Sequence, residues 1–107
     1  MVGLVLRVNN IKVLSFINIM DSDFVVYSKN DCRFCELAKQ LLLDEGFSYE
    51  IVMCDNWLVE DREGFLKRME EKIGKEYKTF PMVFYKDRFV GGYKELVKKV
   101  EEMACFR

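Results

Sequence analysis

Phe24-Val25-Val26-Tyr27-Ser28-Lys29-Asn30-Asp31-Cys32-Arg33-Phe34-Cys35 carries the reading on which the fold turns. Its first four residues are β-branched or aromatic. Polar Asp21-Ser22-Asp23 precedes them and Ser28-Lys29-Asn30-Asp31 follows, so they read as a short buried strand. Beyond Cys35, Leu37, Ala38, Leu41 and Leu42 recur with charged residues between them and Gly46 follows as a stop, predicting an amphipathic helix over 33–45. Cys32 therefore stands where a strand gives way to a helix.

Outward from this unit the pattern continues. The run over 49–54, Tyr49-Glu50-Ile51-Val52-Met53-Cys54, reads as a second strand, reached through a helix long enough for a right-handed crossover. Val59, Phe65, Leu66, Met69 and Ile73, with Gly74 as the stop, predict a second helix over 59–73. Met82-Val83-Phe84-Tyr85, a tight Lys86-Asp87 turn and Arg88-Phe89-Val90 read as a hairpin ending at Gly91-Gly92. Leu96, Val97, Val100 and Met103 mark a last helix. The expected order is β-α-β-α-β-β-α, an α/β domain with a mixed sheet flanked by helices.

The chain has 107 residues, one domain's worth, with 17 basic and 18 acidic side chains and a formal charge of −1. That balance argues against a mainly electrostatic nucleic-acid binder. There is no histidine, which excludes Cys-His catalysis and Cys₂His₂ zinc binding within one chain. The N-terminal stretch is interrupted by Arg7, Asn9, Asn10 and Lys12, so no membrane span is expected. Residues 1–20 hold Arg7 and Lys12 but none of the acids, setting a boundary near Met20-Asp21 before a domain over 21–107. Three readings compete for this short N-terminal extension: an extra strand or arm packed on the domain, an organelle-targeting sequence with little to support it, or residues upstream of a true start at Met20.

The four cysteines form one close pair, Cys32 and Cys35, and two singletons, Cys54 and Cys105, a usage that suits a reducing compartment and a cytoplasmic location. Two thiols three positions apart at a helix start can close a disulfide across one turn. The earlier is the more exposed and lies where helix N–H groups favour an anion, making Cys32 the candidate thiolate nucleophile. Lys29 places a positive charge near that sulfur. Cys35 should be more buried and suited to resolving a mixed disulfide. Zinc needs four ligands, and neither Cys54 nor Cys105 has a partner to complete a set. The singletons read as small core residues and Trp57 as packing.

Three further features surround the pair. Thr79-Phe80-Pro81 contains the sole proline just before a strand, where a cis bond would turn backbone groups outward for an extended peptide, and a trans proline would simply start the strand. Gly91-Gly92 admits close backbone approach at the start of the last helix, whose N–H groups can hold a carboxylate, or forms a simple turn. Phe34 either covers the site or fills the core.

Taken together, Tyr27-Ser28-Lys29-Asn30-Asp31-Cys32-Arg33-Phe34-Cys35, Thr79-Phe80-Pro81 and Gly91-Gly92-Tyr93 make the chain resemble a glutaredoxin from about residue 23 to 106. The resemblance implies a thioredoxin-like fold with a cis Pro81 and a glutathione-dependent thiol-disulfide oxidoreductase. Its substrates would be disulfide-bonded or glutathionylated proteins, and it would work as a monomer, with no nucleic-acid or membrane partner. It implies Cys32 as nucleophile and Cys35 as resolving thiol, the two forming the redox-active disulfide. Glutathione would meet Lys29 through its glycyl carboxylate and the Phe80 main chain through its cysteinyl group, with Thr79, Pro81 and Phe34 beside it. Its γ-glutamyl end would meet Gly92, Lys94 and Glu95, and Arg68 or Lys72 would add a basic contact.

Arg33 stands where the family usually has proline, Phe34 lacks the usual tyrosine hydroxyl, and Lys94-Glu95 replaces a Thr-Asp type of pair. A second implied reading is a carrier in which Cys32 from each of two chains and two glutathiones ligate a [2Fe-2S] cluster. A third is a thioredoxin-like protein reductase served by a reductase instead of glutathione.

Overall fold

A computed structural model describes residues 4–7 and 23–104. The expectations for residues 8–20, the boundary near Met20-Asp21 and the placement of Cys105 lie outside the described residues. The elements in chain order are β1 (Leu4–Arg7), β2 (Phe24–Ser28), α1 (Arg33–Glu45), β3 (Tyr49–Met53), α2 (Asp55–Glu60), α3 (Arg62–Ile73), β4 (Met82–Tyr85), β5 (Arg88–Gly91) and α4 (Tyr93–Ala104). The strands form one sheet in the order β1-β3-β2-β4-β5. β2 and β3 are parallel, joined through α1, while β2–β4, β4–β5 and β1–β3 are antiparallel. This is the thioredoxin-like α/β architecture, with β1 added along the outer edge of β3.

Strand alternation sends side chains to opposite faces of the sheet, and each face has its own core. On one, Phe24, Val26, Ile51 and Val83 pack with Ala38 and Leu42 of α1 and Leu96 and Val100 of α4. On the other, Val52, Met82 and Phe84 pack with Phe65 and Met69 of α3. Leu42 and Phe24 are fully buried. Truncating either to alanine would cost about 2–5 kcal/mol, a large share of the stability of a small domain.

The helix boundaries have local causes. α1 begins after Cys32, whose backbone is extended (φ −123°, ψ 104°), and ends at Gly46 in the left-handed region (φ 78°). There the Phe47 N–H returns to the Leu42 carbonyl at 3.0 Å and the Gly46 N–H to Leu43 at 3.1 Å, satisfying carbonyls the helix leaves open. The helix expected from 59 to 73 is instead two helices. Asp61 leaves helical geometry (φ −158°, ψ 72°) and its carboxylate accepts the Gly64 N–H at 3.0 Å, so it ends α2 and caps α3. Val59 does not join the apolar face and is 85% exposed. The hairpin turn holds Lys86 and Asp87 at φ 48° and 70°, the positive values that match the twist of the flanking strands.

Candidate functional site

The parallel pair β2–β3 ends at the loop Lys29–Asp31, which delivers Cys32 to the N-terminus of α1. Cys32 is half-buried and Cys35, one turn on, is completely buried. The two form a disulfide with Cα atoms 5.2 Å apart. The Cys35 backbone N–H donates to the Cys32 sulfur at 3.2 Å. That N–H belongs to the open end of the helix, so it also favours negative charge on the sulfur once the disulfide is reduced.

The loop before Cys32 is tied down from across the sheet. The Asn30 N–H donates to Asp55 Oδ1 at 3.0 Å and Oδ2 at 3.3 Å. Lys29 turns its ammonium over the ring of Phe80, 5.8 Å from the centroid. Phe80 precedes Pro81 through a cis peptide bond, and its carbonyl oxygen lies 3.8 Å from the Cys32 sulfur. Behind it the rings stack in series: Phe80 on Phe65 at 6.5 Å and 6°, then Phe65 on Trp57 at 5.1 Å and 9°.

Phe34 does not fill the core. It is 55% exposed and stacks on Tyr93 of α4 at 6.0 Å, which puts an aromatic wall beside the cysteine pair. Gly92 is buried beside the proline loop: a Cβ placed on it would lie 3.0 Å from the Tyr77 hydroxyl and 3.7 Å from the Pro81 carbonyl oxygen. The Gly92 N–H donates to Glu95 Oε1 at 2.9 Å. Thr79 and Lys94 are exposed. On α3, Lys72 sits over the Phe84 ring at 5.2 Å, while Arg68 is exposed.

The structure thus brings Lys29, Cys32, Cys35 and Phe80 into one cluster. Pro81, Gly92 and Glu95 follow one another beside it, and Phe34, between the two cysteines in sequence, stacks on Tyr93. Sequence reasoning leaves out Asp55, Tyr77 and Phe65. Asp55 lies outside the helix expected over 59–73, Phe65 is only an apolar position within it, and Tyr77 belongs to no motif.

Cys54 caps the junction of β3 and α2, fully buried, and burial pushes its thiol up to about 12. It is not a nucleophile at neutral pH. Among the described residues no group of three or more Cys, Asp or Glu side chains gathers as a metal set. The site offers one partly accessible sulfur, where an iron–sulfur cluster takes four, so the residues of a single chain do not fit one.

A mixed sheet with a dithiol at the first helix N-terminus, facing a cis-proline loop, defines a thioredoxin-fold redox protein. The glutaredoxin family model matches residues 24–90, and the chain belongs to the glutaredoxin family. Glutaredoxin 1 of Rickettsia conorii is 34% identical over 68 residues, covering 64% of this chain and 62% of that relative. The mitochondrial glutaredoxin-2 of Homo sapiens is 32% identical over 74 residues, 69% of this chain and 43% of that one. The match therefore spans less than two thirds of either relative. In fold, the buckwheat glutaredoxin–glutathione complex superimposes with a TM-score of 0.60 at 23% identity, over 89% of this chain and 81% of that chain. Among the described residues no helix is long and apolar enough to cross a membrane.

Proposed function

We propose that this chain is a glutathione-dependent thiol-disulfide oxidoreductase acting on protein disulfides and glutathione mixed disulfides. The observation that carries the reading is the half-buried Cys32 sulfur held by the Cys35 N–H at the start of α1, with the Cys35 thiol enclosed directly behind it. One sulfur is placed to meet a substrate and the other to meet only its neighbour.

In this scheme the Cys32 thiolate attacks the glutathionyl sulfur of a mixed disulfide. A Cys32–glutathione disulfide forms as the substrate S–S bond breaks, and the departing substrate thiolate takes its proton from water, the chain having no histidine to supply one. A second glutathione thiolate then attacks the mixed disulfide, leaving oxidised glutathione and a free Cys32 thiolate. Alternatively Cys35 loses its proton to solvent and attacks the Cys32 sulfur, expelling glutathione and closing the Cys32–Cys35 disulfide, which two glutathiones reduce. In both routes glutathione is oxidised and the substrate reduced.

Several features support a glutathione subsite. Lys29 stands over Phe80, from where its ammonium would meet a glycyl carboxylate, and the main chain of Phe80, flanked by Thr79 and Pro81, lies beside Cys32. Phe34 on Tyr93 supplies an apolar wall. In this reading Gly92, Lys94 and Glu95 would meet the γ-glutamyl end. The buckwheat protein of like fold is described in complex with glutathione. Cysteine usage favours a reducing compartment, which we take as cytoplasmic, although the human relative is named as mitochondrial. We read the chain as a monomer whose partners are glutathione and oxidised proteins.

The test is glutathione-dependent reduction of a small mixed disulfide, coupled to glutathione reductase. Cys32→Ser should abolish activity and Cys35→Ser should retain it. Equal loss in both variants rejects the monothiol route. An inactive wild type that turns brown and dimerises after anaerobic supply of iron, sulfide and glutathione favours the [2Fe-2S] carrier instead.

A further inference from the structure

Every second residue of β2 is buried on the side that meets α1: Phe24, Val26 and Ser28 are fully enclosed. Val25 and Tyr27, between them, pack into the other core. On α1 the buried series is Cys35, Ala38 and Leu42, and the last two share one core with Phe24 and Val26. The helix returns antiparallel to the strand that feeds it, since β3 then runs parallel to β2. The last buried residue of the strand and the first of the helix therefore lie at the same end. The lengths agree: Phe24 to Ser28 spans about 13 Å at the rise of a strand, and Leu42 to Cys35 about 10.5 Å at the rise of a helix. Ser28 is thereby set against the turn that holds Cys35.

The Ser28 hydroxyl is completely buried and has no hydrogen-bond partner among the described residues. The backbone of Ser28 is engaged, its carbonyl accepting the Cys54 N–H at 2.9 Å. A buried hydroxyl left unmet is costly, and such groups are few in folded proteins. Here it is unmet while the Cys32–Cys35 disulfide is closed. A sulfur tied up in that bond has no proton to give, whereas a thiol at Cys35 can both donate and accept. We propose that Ser28 is a positioning residue for the resolving thiol: its hydroxyl bonds the Cys35 sulfur when the disulfide is open and is unmet when it is closed, which biases the couple toward the dithiol. The inference rests on the dithiol exchange of the reading above and extends it to what sets the balance between the two states. Reduction by two thiols breaks the Cys32–Cys35 bond and forms the S–S bond of the oxidised thiol. Two electrons and one proton pass to the chain, leaving Cys32 as thiolate and Cys35 as thiol, and the second proton goes to water.

The experiment poises the full chain in mixtures of β-mercaptoethanol and its disulfide and reads the closed fraction by alkylation and mass spectrometry. Ser28→Ala removes the hydroxyl. It should raise the equilibrium constant for disulfide closure about three- to thirtyfold, the range for relief of one unmet buried hydroxyl. Ser28→Thr and Ser28→Val differ from each other only in the exchange of a hydroxyl for a methyl group, so they separate hydrogen bonding from packing. Ser28→Thr should keep close to the wild-type constant, and Ser28→Val should exceed it by the factor seen with alanine. Each comparison stands without the other. Equal constants in the Thr and Val variants overturn the inference, because packing at position 28 then sets the couple. So does an unmoved constant in Ser28→Ala, which means that the hydroxyl is served equally in both states, or a fall, which means that it serves the disulfide. The reagent has neither a γ-glutamyl nor a glycyl group. A chain inactive toward glutathione mixed disulfides fails the proposed function and still yields this constant, so the two failures are distinct.

Discussion

Asp55 grips the backbone of Asn30: the Asn30 N–H donates to Oδ1 at 3.0 Å and Oδ2 at 3.3 Å, across 25 positions of sequence. Asn30 lies two residues before Cys32 and one after Lys29. The α2 N-terminus thus fixes the loop that sets both the sulfur and the cation. Asp55→Ala should cost about 1 kcal/mol in urea unfolding, the scale of one net hydrogen bond. It should also lower kcat/KM more than that small loss of stability accounts for, because Lys29 and Cys32 lose their common anchor. Asp55→Asn, which keeps an acceptor oxygen, should recover most of both. A variant with unchanged activity would show that the loop is held without Asp55.

The Phe80 ring is positioned from behind by Phe65, itself stacked on Trp57 and only 3% exposed. Phe65→Ala should destabilise the domain by about 3–5 kcal/mol through loss of buried area and the cavity left behind. Phe65→Leu separates packing from placement. It should cost about 1 kcal/mol for the lost ring stacking, yet raise the KM for disulfide substrates as Phe80 loosens beside Cys32. Steady-state kinetics at a temperature where the variant is fully folded check this. An unmoved KM would confine Phe65 to the core.

The parts of this molecule that are local in sequence were legible there, and those made by tertiary approach were not. α1 is bounded as the pattern predicts because both ends are set by residues in the segment itself, Cys32 and Gly46. The second helix is broken at Asp61 because one carboxylate turns to the Gly64 N–H, and an aspartate in a charged run gives no sign of which way it turns. The cysteine pair and Thr79-Phe80-Pro81 announce themselves by type and spacing. Asp55 on Asn30 and the Tyr77 hydroxyl over Gly92 depend on the sheet being assembled first. Glu95 on Gly92 is a partial case, since the capping box there lacks its Ser or Thr.

Gly91 is constrained twice. Its φ of 133° lies where side chains are strained, and a Cβ there would press on Glu95 at 2.7 Å. Gly91→Ala should therefore destabilise by more than about 1 kcal/mol. The double variant Gly91→Ala/Glu95→Ala removes the contacts with Cγ and Oε1 but leaves the one with the Cβ of residue 95 and the backbone strain, so it should recover only part of the combined loss. Urea unfolding of the two single variants and the double variant measures the coupling. Simple additivity would show that the Glu95 side chain beyond Cβ gives way freely, leaving φ and the Cβ contact as the whole cost.

Cys54 gives the fold a distinct alkaline weakness. Burial pushes its thiol from an ordinary 9.0 up to about 12, with the backbone hydrogen bond from Ser28 opposing the shift and the charge of Asp55 adding to it. Above pH 9 the unfolded chain gives up this proton while the folded chain keeps it. The native state then binds more protons than the unfolded one, so stability falls as pH rises. The contribution is complete below pH 9 and is lost progressively between pH 9 and about 12. Half-buried Tyr27, also raised by desolvation, adds a loss of the same sign that begins only above its ordinary 10.0. Unfolding free energies of Cys32→Ser and Cys32→Ser/Cys54→Ala, compared from pH 7 to 10.5, isolate the thiol without a disulfide open to exchange. The difference between them should be constant up to pH 9 and then shift in favour of the Cys54→Ala protein. A constant difference across the whole range would mean that Cys54 ionises in the folded protein as readily as in the unfolded chain, against its complete burial.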